Sequence, residues 1–163
     1  MKRFVCLLLI SCLILSGCGT FGEWIKEPVT FYYVREDYRK DMQGVIVSEV
    51  REASGHRDDL TYLLALYSLG PSKEGLESPL PANTQIMPIE RTADKIVLSL
   101  SEGVRDLSDA DFTLAGACLA MTCMELTDVR QITVECGERK ITIREDNVLL
   151  YGNNRLAMQE ETK

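Results

Sequence analysis

The sequence predicts an α+β domain in which two helices pack on one mixed, mainly antiparallel sheet, in the order ββαββαββ. Short stretches rich in β-branched and aromatic residues alternate with two stretches of helical periodicity. Each apolar face needs a partner layer, and two helices over one sheet satisfy that need. The chain has 163 residues, of which 45% are hydrophobic and 26% charged, so it suits a single globular domain and is not typical of a disordered protein.

The predicted domain begins with two strands. Residues 28–35 are rich in Val, Phe and Tyr, and alternate side chains share one face of the strand. That face consists of Val29, Phe31 and Tyr33. A polar turn follows over residues 36–43, and after Gly44 residues 45–50 form the second strand.

The first helix is predicted over residues 57–69. Asp58 and Asp59 lie in its first turn, where the helix dipole favours acidic side chains. Gly70 can adopt a left-handed cap, and Pro71 cannot continue the helix. One buried stripe has the spacing i, i+3, i+4, i+7 and consists of Leu60, Leu63, Leu64 and Tyr67.

A hairpin follows, with strands at residues 84–91 and 94–101. The second of these has the cleanest alternation of apolar residues in the chain. Pro88 lacks the N–H that a sheet ladder needs, so the first strand should lie at a sheet edge or carry a bulge.

The second helix is predicted to be largely buried. Ser108 precedes Asp111 by three residues, a spacing similar to that of a capping box. From there to Leu126 the chain is apolar around most of the helix circumference, which is typical of a buried helix. Thr122 is expected to bond back to a helix carbonyl.

A last hairpin joins strands at residues 129–136 and 139–144, and a weak strand covers 148–151. Gly137 and Glu138 form the tight link of the hairpin. The inward-facing residues of this hairpin are Ile132, Val134, Cys136, Ile141 and Ile143.

The first eighteen residues predict a bacterial lipoprotein signal. Lys2 and Arg3 give a positive start, and residues 4–15 form a mostly apolar run that is too short to span a membrane. The letters LSGC at residues 15–18 look like a lipobox, in which Cys18 receives a diacylglycerol and a peptidase cuts before it. The alternative is an ordinary secretory signal with a chance cysteine.

These features divide the chain into four parts. Residues 1–17 are a lipoprotein signal peptide, 18–27 a membrane-proximal tether, 28–151 a single domain and 152–163 a flexible tail. Lipid chains on Cys18 would hold the protein on the outer face of the bacterial cytoplasmic membrane.

Three cysteines remain in the domain after cleavage. On a helix, Cys118 and Cys123 are too far apart for a disulfide, but either could meet Cys136. The sequence therefore leaves two possibilities, three buried thiols or a single bridge. Metal-ligand spacing is missing from these cysteines, so no metal site is expected.

Candidate catalytic and ligand-binding residues are few. The single histidine, His56, is interpreted as an exposed loop residue near a helix start, although a general base is the alternative. Three carboxylates fit a helix start better than a calcium site, namely Asp106, Asp109 and Asp111. No phosphate-binding pattern surrounds Gly116. The side chains of Glu135, Glu138, Arg139 and Lys140 are predicted to form a solvated hairpin rim.

The net charge gives no sign of a nucleic-acid partner. Eighteen basic residues stand against 25 acidic ones, so the formal charge is −7, whereas nucleic acid requires a basic face. The residues predict no enzyme activity and no cofactor.

Over roughly residues 60–145 the chain resembles the GerMN domain of bacterial spore-germination and sporulation proteins. The residues that carry the resemblance are Leu63-Leu64-Ala65-Leu66 before Gly70-Pro71, Leu80-Pro81 with Thr84, Val97-Leu98-Ser99-Leu100-Ser101, Thr122, Leu126, Val129, Ile132, Val134 and Gly137. Members of this family are often lipoproteins, and the resemblance implies a non-enzymatic envelope module. Some members carry two such domains, whereas this chain has room for one.

Two functions are therefore expected as alternatives. The first is a membrane-anchored interaction or scaffold module in sporulation, germination or envelope assembly, whose partner is another envelope protein or the protein itself. The second is a protein that binds a small ligand or a peptidoglycan fragment and assists cell-wall enzymes. A flat surface with an unpaired strand edge would favour the first, and a deep pocket with convergent polar groups the second.

The substitution Cys18→Ala should release the protein from membranes without unfolding it, because the lipid and not the acidic surface holds it there. Fractionation of cells with a salt wash measures this. A variant that stays in the washed membrane fraction would contradict the lipid anchor.

Overall fold

The protein is described by a computed structural model over residues 27–40 and 44–147, with the backbone alone at 148–151 and 155–158. The predicted signal peptide, Cys18 and all of the tether except Glu27 lie outside the described residues. The cleavage and lipidation of Cys18 therefore stay predictions.

The described residues form two helices and three separate sheets. The first sheet has the order β2-β1-β3, with β1 at Pro28–Arg35, β2 at Ile46–Glu52 and β3 at Leu76–Glu77. The second has the order β4-β5-β6-β7, with β4 at Ile86–Arg91, β5 at Lys95–Leu100, β6 at Gln131–Cys136 and β7 at Arg139–Arg144. The third pairs β8 at Val148–Tyr151 with β9 at Arg155–Met158. The helices are α1 at Leu60–Ser68 and α2 at Asp109–Leu126, and two 3-10 turns cover Glu102–Asp106 and Glu145–Asn147.

The predicted α+β class and the approximate order of elements are confirmed, but the strands do not form one continuous sheet. Among the described strands only the β5–β6 pair is parallel, so the mainly antiparallel character is confirmed as well. The short strand β3 was not predicted. Strand β9 lies inside the segment 152–163, and the flexibility of that segment stays a prediction.

Helix α1 begins three residues later than predicted. Asp59 lies before its first turn and caps it, because the side chain accepts a hydrogen bond from the Tyr62 N–H at 3.0 Å. Gly70 adopts the left-handed conformation expected after the helix, with φ +83°. The predicted stripe of Leu60, Leu63, Leu64 and Tyr67 is buried in full.

Helix α2 is the buried centre of the fold. Ten of its residues are buried, and it packs against β1 of the first sheet and against β6 and β7 of the second. Gly116 allows a close approach to β7, since a Cβ atom at this position would lie 2.8 Å from Ile141 Cγ2. The Ser108 hydroxyl caps the helix as predicted by accepting a hydrogen bond from the Asp111 N–H. Neither helix, within the part of the chain described, has the length and apolar character of a membrane span.

The second edge of β1 is closed by side chains from both helices. Strand β3 pairs only with Val34 and Arg35, so Tyr32 meets no strand there. Its N–H donates to Thr122 Oγ1 at 3.0 Å, and its carbonyl accepts from the Tyr67 hydroxyl at 3.0 Å. Thr122, for which the sequence predicts a bond to its own helix, accepts this bond from β1.

Aromatic rings lock α1 onto the inner face of the first sheet. Tyr33 and Tyr67 are stacked with ring centroids 4.8 Å apart, and the edge of Phe31 meets Tyr67 at 5.9 Å. Burial raises the pKa of Tyr33 to about 12 despite the nearby Arg51, and burial also raises that of Tyr67 well above its usual range. Both phenols therefore stay neutral, with their hydroxyl groups hydrogen-bonded.

Pro88 has both features expected of it. Strand β4 lies at the edge of the second sheet, and its register with β5 shifts between Pro88 and Glu90. The hairpin through Gly137 is also confirmed. On β7, Ile143 is buried as predicted, whereas Ile141 is only half-buried, although it packs against the core at Gly116.

All three domain cysteines are free and buried. Burial raises the pKa of Cys118 far above its usual range and that of Cys123 to about 12, although Arg91 lowers the latter slightly. Buried thiols of this kind act as small apolar side chains, so the first of the two possibilities is confirmed.

The substitution Thr122→Val should lower the free energy of unfolding by about 1–3 kcal/mol, because it leaves the Tyr32 N–H without an acceptor. Urea unfolding followed by circular dichroism measures the change. Thr113→Val on the same helix is the matched control and should stay within about 0.5 kcal/mol of the wild type. Equal stability of both variants would contradict the bond's role.

Candidate functional site

The outer edge of β2 faces no other strand among the residues that the structure describes. Strand β2 pairs with β1 over its seven residues without a register shift. In an antiparallel pair, every second residue bonds the partner strand and the residues between point away from it. Two flanking hydrogen bonds show which residues of β2 bond β1: Arg35 N–H to Val45 O at 2.9 Å, and Ala53 N–H to Glu27 O at 3.1 Å. The residues whose N–H and C=O groups therefore point away from β1 are Ile46, Ser48, Val50 and Glu52.

The other long edges in the described part of the chain are blocked against strand addition. On β4, the backbone groups of Ile86 and the backbone at Pro88 point away from β5, and Pro88 has no N–H to donate. On β7, the outward residues include Lys140 and Arg144, and lysines and arginines on an edge strand disfavour pairing. Strand β2 has neither a proline nor a bulge.

The inner face of β2 is anchored to the end of α1. Arg51 Nη1 donates to the carbonyl oxygens of Gly70 at 3.0 Å and Leu66 at 3.3 Å, at and just beyond the carboxyl end of the helix. Glu49, which is 6% exposed, accepts from the Ser72 N–H at 2.9 Å. These contacts hold β2 in place, so its outer edge is preformed. Sequence patterns did not reveal them, because the partners lie 15 to 23 residues away.

One exposed apolar side chain lies on this edge strand. Val50 is 66% exposed on the outer face of the sheet, beside half-buried Ser48 and Tyr32. It is one of the four large hydrophobic side chains found exposed in the described residues.

His56 is exposed and lies in the loop before α1, as interpreted. Its ring stacks on Tyr62 with centroids 4.2 Å apart, and its backbone N–H donates to Ala53 O. It borders an open groove of about 630 Å³ that also contains Arg57, Asp58 and Arg91.

The three carboxylates considered for calcium do not converge. The Ser108 hydroxyl bonds Asp111 Oδ2 at 2.8 Å, while Tyr38 and Arg39 bond Asp111 Oδ1 at 3.0 and 2.9 Å. These hydrogen bonds, Ser108 first, hold the pKa of Asp111 below its usual range despite partial burial. Asp109 is paired with Arg139. In the region that the structure describes, no cluster of three or more metal-ligating side chains occurs.

The prediction of a solvated rim is wrong for Arg139. Its guanidinium donates to Leu107 O at 2.8 Å and to Asp109 Oδ1 at 3.0 Å, and it lies over the Phe112 ring at 4.3 Å. Arg139 therefore fastens the hairpin to the start of α2. Glu135 and Lys140 form a long ion pair at the surface, with 3.7 Å between Glu135 Oε2 and Lys140 Nζ, as expected for a hairpin rim.

No family model and no curated protein matches the sequence. Among solved structures, the first GerMN domain of the sporulation protein GerM from Bacillus subtilis is similar, with a TM-score of 0.50 and 13% identity over 71% of this chain and 86% of that chain. The tandem GerMN domains of the same protein give a TM-score of 0.47 and 20% identity over 69% of this chain and 39% of that chain. A Clostridium perfringens protein described as a candidate lipoprotein has a TM-score of 0.43 and 17% identity. The match covers 82% of this chain and 87% of that chain.

The likeness to the first GerMN domain concerns the fold, because the identity is low. It agrees with the family that the sequence resembles. The arrangement of two helices and two main sheets around α2 is therefore the fold of a GerMN domain.

Proposed function

We propose that the protein is a membrane-anchored extracytoplasmic lipoprotein whose GerMN-fold domain is a non-enzymatic interaction module. The observation that supports this function best is the outer edge of β2, which faces no other strand of the described residues and contains neither a proline nor a bulge. The domain would bind an extended segment of a partner envelope protein there.

Strand addition fits this edge chemically. Outward N–H and C=O groups of Ser48 and Val50 offer main-chain hydrogen bonds, which supply affinity, while Val50 offers an apolar contact. Edge strands of soluble proteins are normally protected, as β4 and β7 are here. An unprotected edge beside protected ones is typical of a surface that another strand covers.

The cellular setting comes from the signal and the fold together. The lipobox at residues 15–18 supports an anchor at Cys18 and a position on the outer face of the cytoplasmic membrane. The similar GerMN domain belongs to a sporulation protein, which supports a role in sporulation, germination or envelope assembly.

The groove beside His56 favours a second candidate function. Charged groups of both signs, including Arg57, Arg91 and Asp58, line this open space of about 630 Å³ and could bind a peptidoglycan fragment. The groove is open rather than enclosed, so we rank this function second.

The substitution Val50→Pro should weaken partner binding at β2, because it removes one outward N–H and places a ring at the edge. The N–H of Val50 does not bond β1, so the domain should still fold. In-cell crosslinking followed by mass spectrometry of membrane material should show the partner reduced at least about fivefold, since one lost hydrogen bond costs about 1 kcal/mol.

The matched control is Lys140→Pro, the same change at an outward position of β7. It should leave the crosslinked partner unchanged. Equal recovery of a protein partner with both variants would contradict docking at β2. Recovery of wall fragments that disappear with Arg57→Ala would favour the second candidate function.

A further inference from the structure

We propose that the groove beside His56 binds a short zwitterionic peptide, whose carboxylate lies between Arg57 and Arg91 and whose amino group faces Asp58. This inference rests on the second candidate function and deepens it, because it names the ligand's chemistry and the residues that bind each end. The groove contains no residue of the β2 edge, so the inference can fail while docking at β2 stands.

The guanidinium of Arg91 is the strongest reason to expect a ligand in the groove. Arg91 is exposed at the end of β4 and lines the groove. It forms neither a hydrogen bond nor an ion pair with the described residues, whereas every other arginine among them forms at least one. A guanidinium group offers five N–H donors in a planar fork that matches a carboxylate. The donors of Arg91 are therefore available to a ligand.

Arg57 supplies a second guanidinium from the opposite element. It lies in the loop before α1, and its Nη1 donates to Pro28 O at 3.4 Å. This long hydrogen bond ties the loop to the start of β1 and uses one of the five donors. Two arginines that line one space can share a carboxylate through charge-assisted hydrogen bonds. Arg57 and Arg91 therefore form the carboxylate end of the site.

Acidic side chains line the same groove without neutralising these arginines. Asp58 and Glu27 border it, and neither side chain forms an ion pair with a described residue. The carboxylate of Asp59 is used instead to cap α1. The groove thus holds positive and negative groups that are not paired with each other, which suits a ligand that carries both charges.

Opposite charges in three other surface pockets of the described residues pair directly. The pairs are Arg39 with Asp111, Arg130 with Glu145, and Arg139 with Asp109. An ionic ligand would have to break these pairs before it could bind, and that cost lowers affinity. The groove beside His56 does not impose this cost.

The groove has the size and position for a peptidoglycan stem peptide. Its volume of about 630 Å³ lies in the range of small-ligand sites, and the stack of His56 on Tyr62 fixes one wall. Stem peptides end in a carboxylate, and many carry the free amino group of a diamino acid. Glu27 borders the groove at the end of the predicted tether, whose nine residues from Cys18 reach at most about 32 Å. The site would therefore meet peptides close to the membrane.

Calorimetric titration of the full lipoprotein in detergent micelles tests the site. The ligand is a synthetic stem pentapeptide with lysine at its third position, and the comparison ligand is the same peptide with its terminal carboxylate converted to an amide. The wild type should bind the free acid at least about fivefold more tightly than the amide, because the amide loses the charge-assisted bonds to the arginines.

Arg91→Gln should weaken binding of the free acid at least about fivefold and leave binding of the amide within about twofold. A merely structural defect would weaken both ligands equally. Arg144→Gln is the matched control, since it removes an exposed arginine outside the groove, and it should bind both peptides as the wild type does. Acetylation of the lysine amino group should likewise weaken binding to the wild type but not to Asp58→Asn.

Equal affinity of the wild type for the free acid and the amide would overturn the carboxylate site. Unchanged discrimination in Arg91→Gln would overturn it too. Absence of pentapeptide binding at millimolar concentration would overturn the inference and leave docking at β2 standing. Val50→Pro, which tests β2, should bind the pentapeptide as the wild type does, so the two sites are tested separately.

Discussion

The burial of α2 is the constraint on which the rest of the structure depends. Ten of its residues are buried around most of its circumference, so a single sheet face could not cover it. The fold solves this by placing β1 on one side and β6 and β7 on another. Gly116 lets β7 approach the helix closely. The buried Thr122 hydroxyl oxygen accepts the hydrogen bond from the Tyr32 N–H.

In this arrangement the backbone groups at the two edges of β1 are hydrogen-bonded in different ways. On one side, Thr122 and Tyr67 satisfy the backbone of Tyr32, and no strand is needed there. On the other side β2 is paired to β1, and its inner face is fixed by Arg51, which binds the carbonyls of Leu66 and Gly70, and by Glu49, which binds the Ser72 N–H. The outer edge of β2 is thus held rigid by contacts on its inner face, which suits a docking strand because little ordering is required when a partner binds.

Local patterns predicted the elements well, and contacts between distant residues explain what they missed. The stripe of Leu60, Leu63, Leu64 and Tyr67 and the edge position of Pro88 follow from spacing and from proline chemistry, and both are confirmed. At the edge where the first sheet ends, Thr122 bonds Tyr32, 90 residues earlier, and no local pattern encodes that contact. The role of Arg139 was missed for the same reason, since a charged hairpin normally faces solvent. Which backbone groups of β2 point away from β1 depends on the strand register, and the sequence does not show that register.

Residue-resolved hydrogen exchange of the β2 amides tests the central claim most directly. In dilute Cys18→Ala protein, the N–H groups of Val47 and Glu49 should be protected by β1, while those of Ser48 and Val50 should exchange rapidly. In the membrane-anchored protein, the amides of Ser48 and Val50 should become protected as well, because a partner strand accepts them. Rapid exchange of both amides in the anchored protein would contradict the account, since the edge would then be open where it is supposed to work.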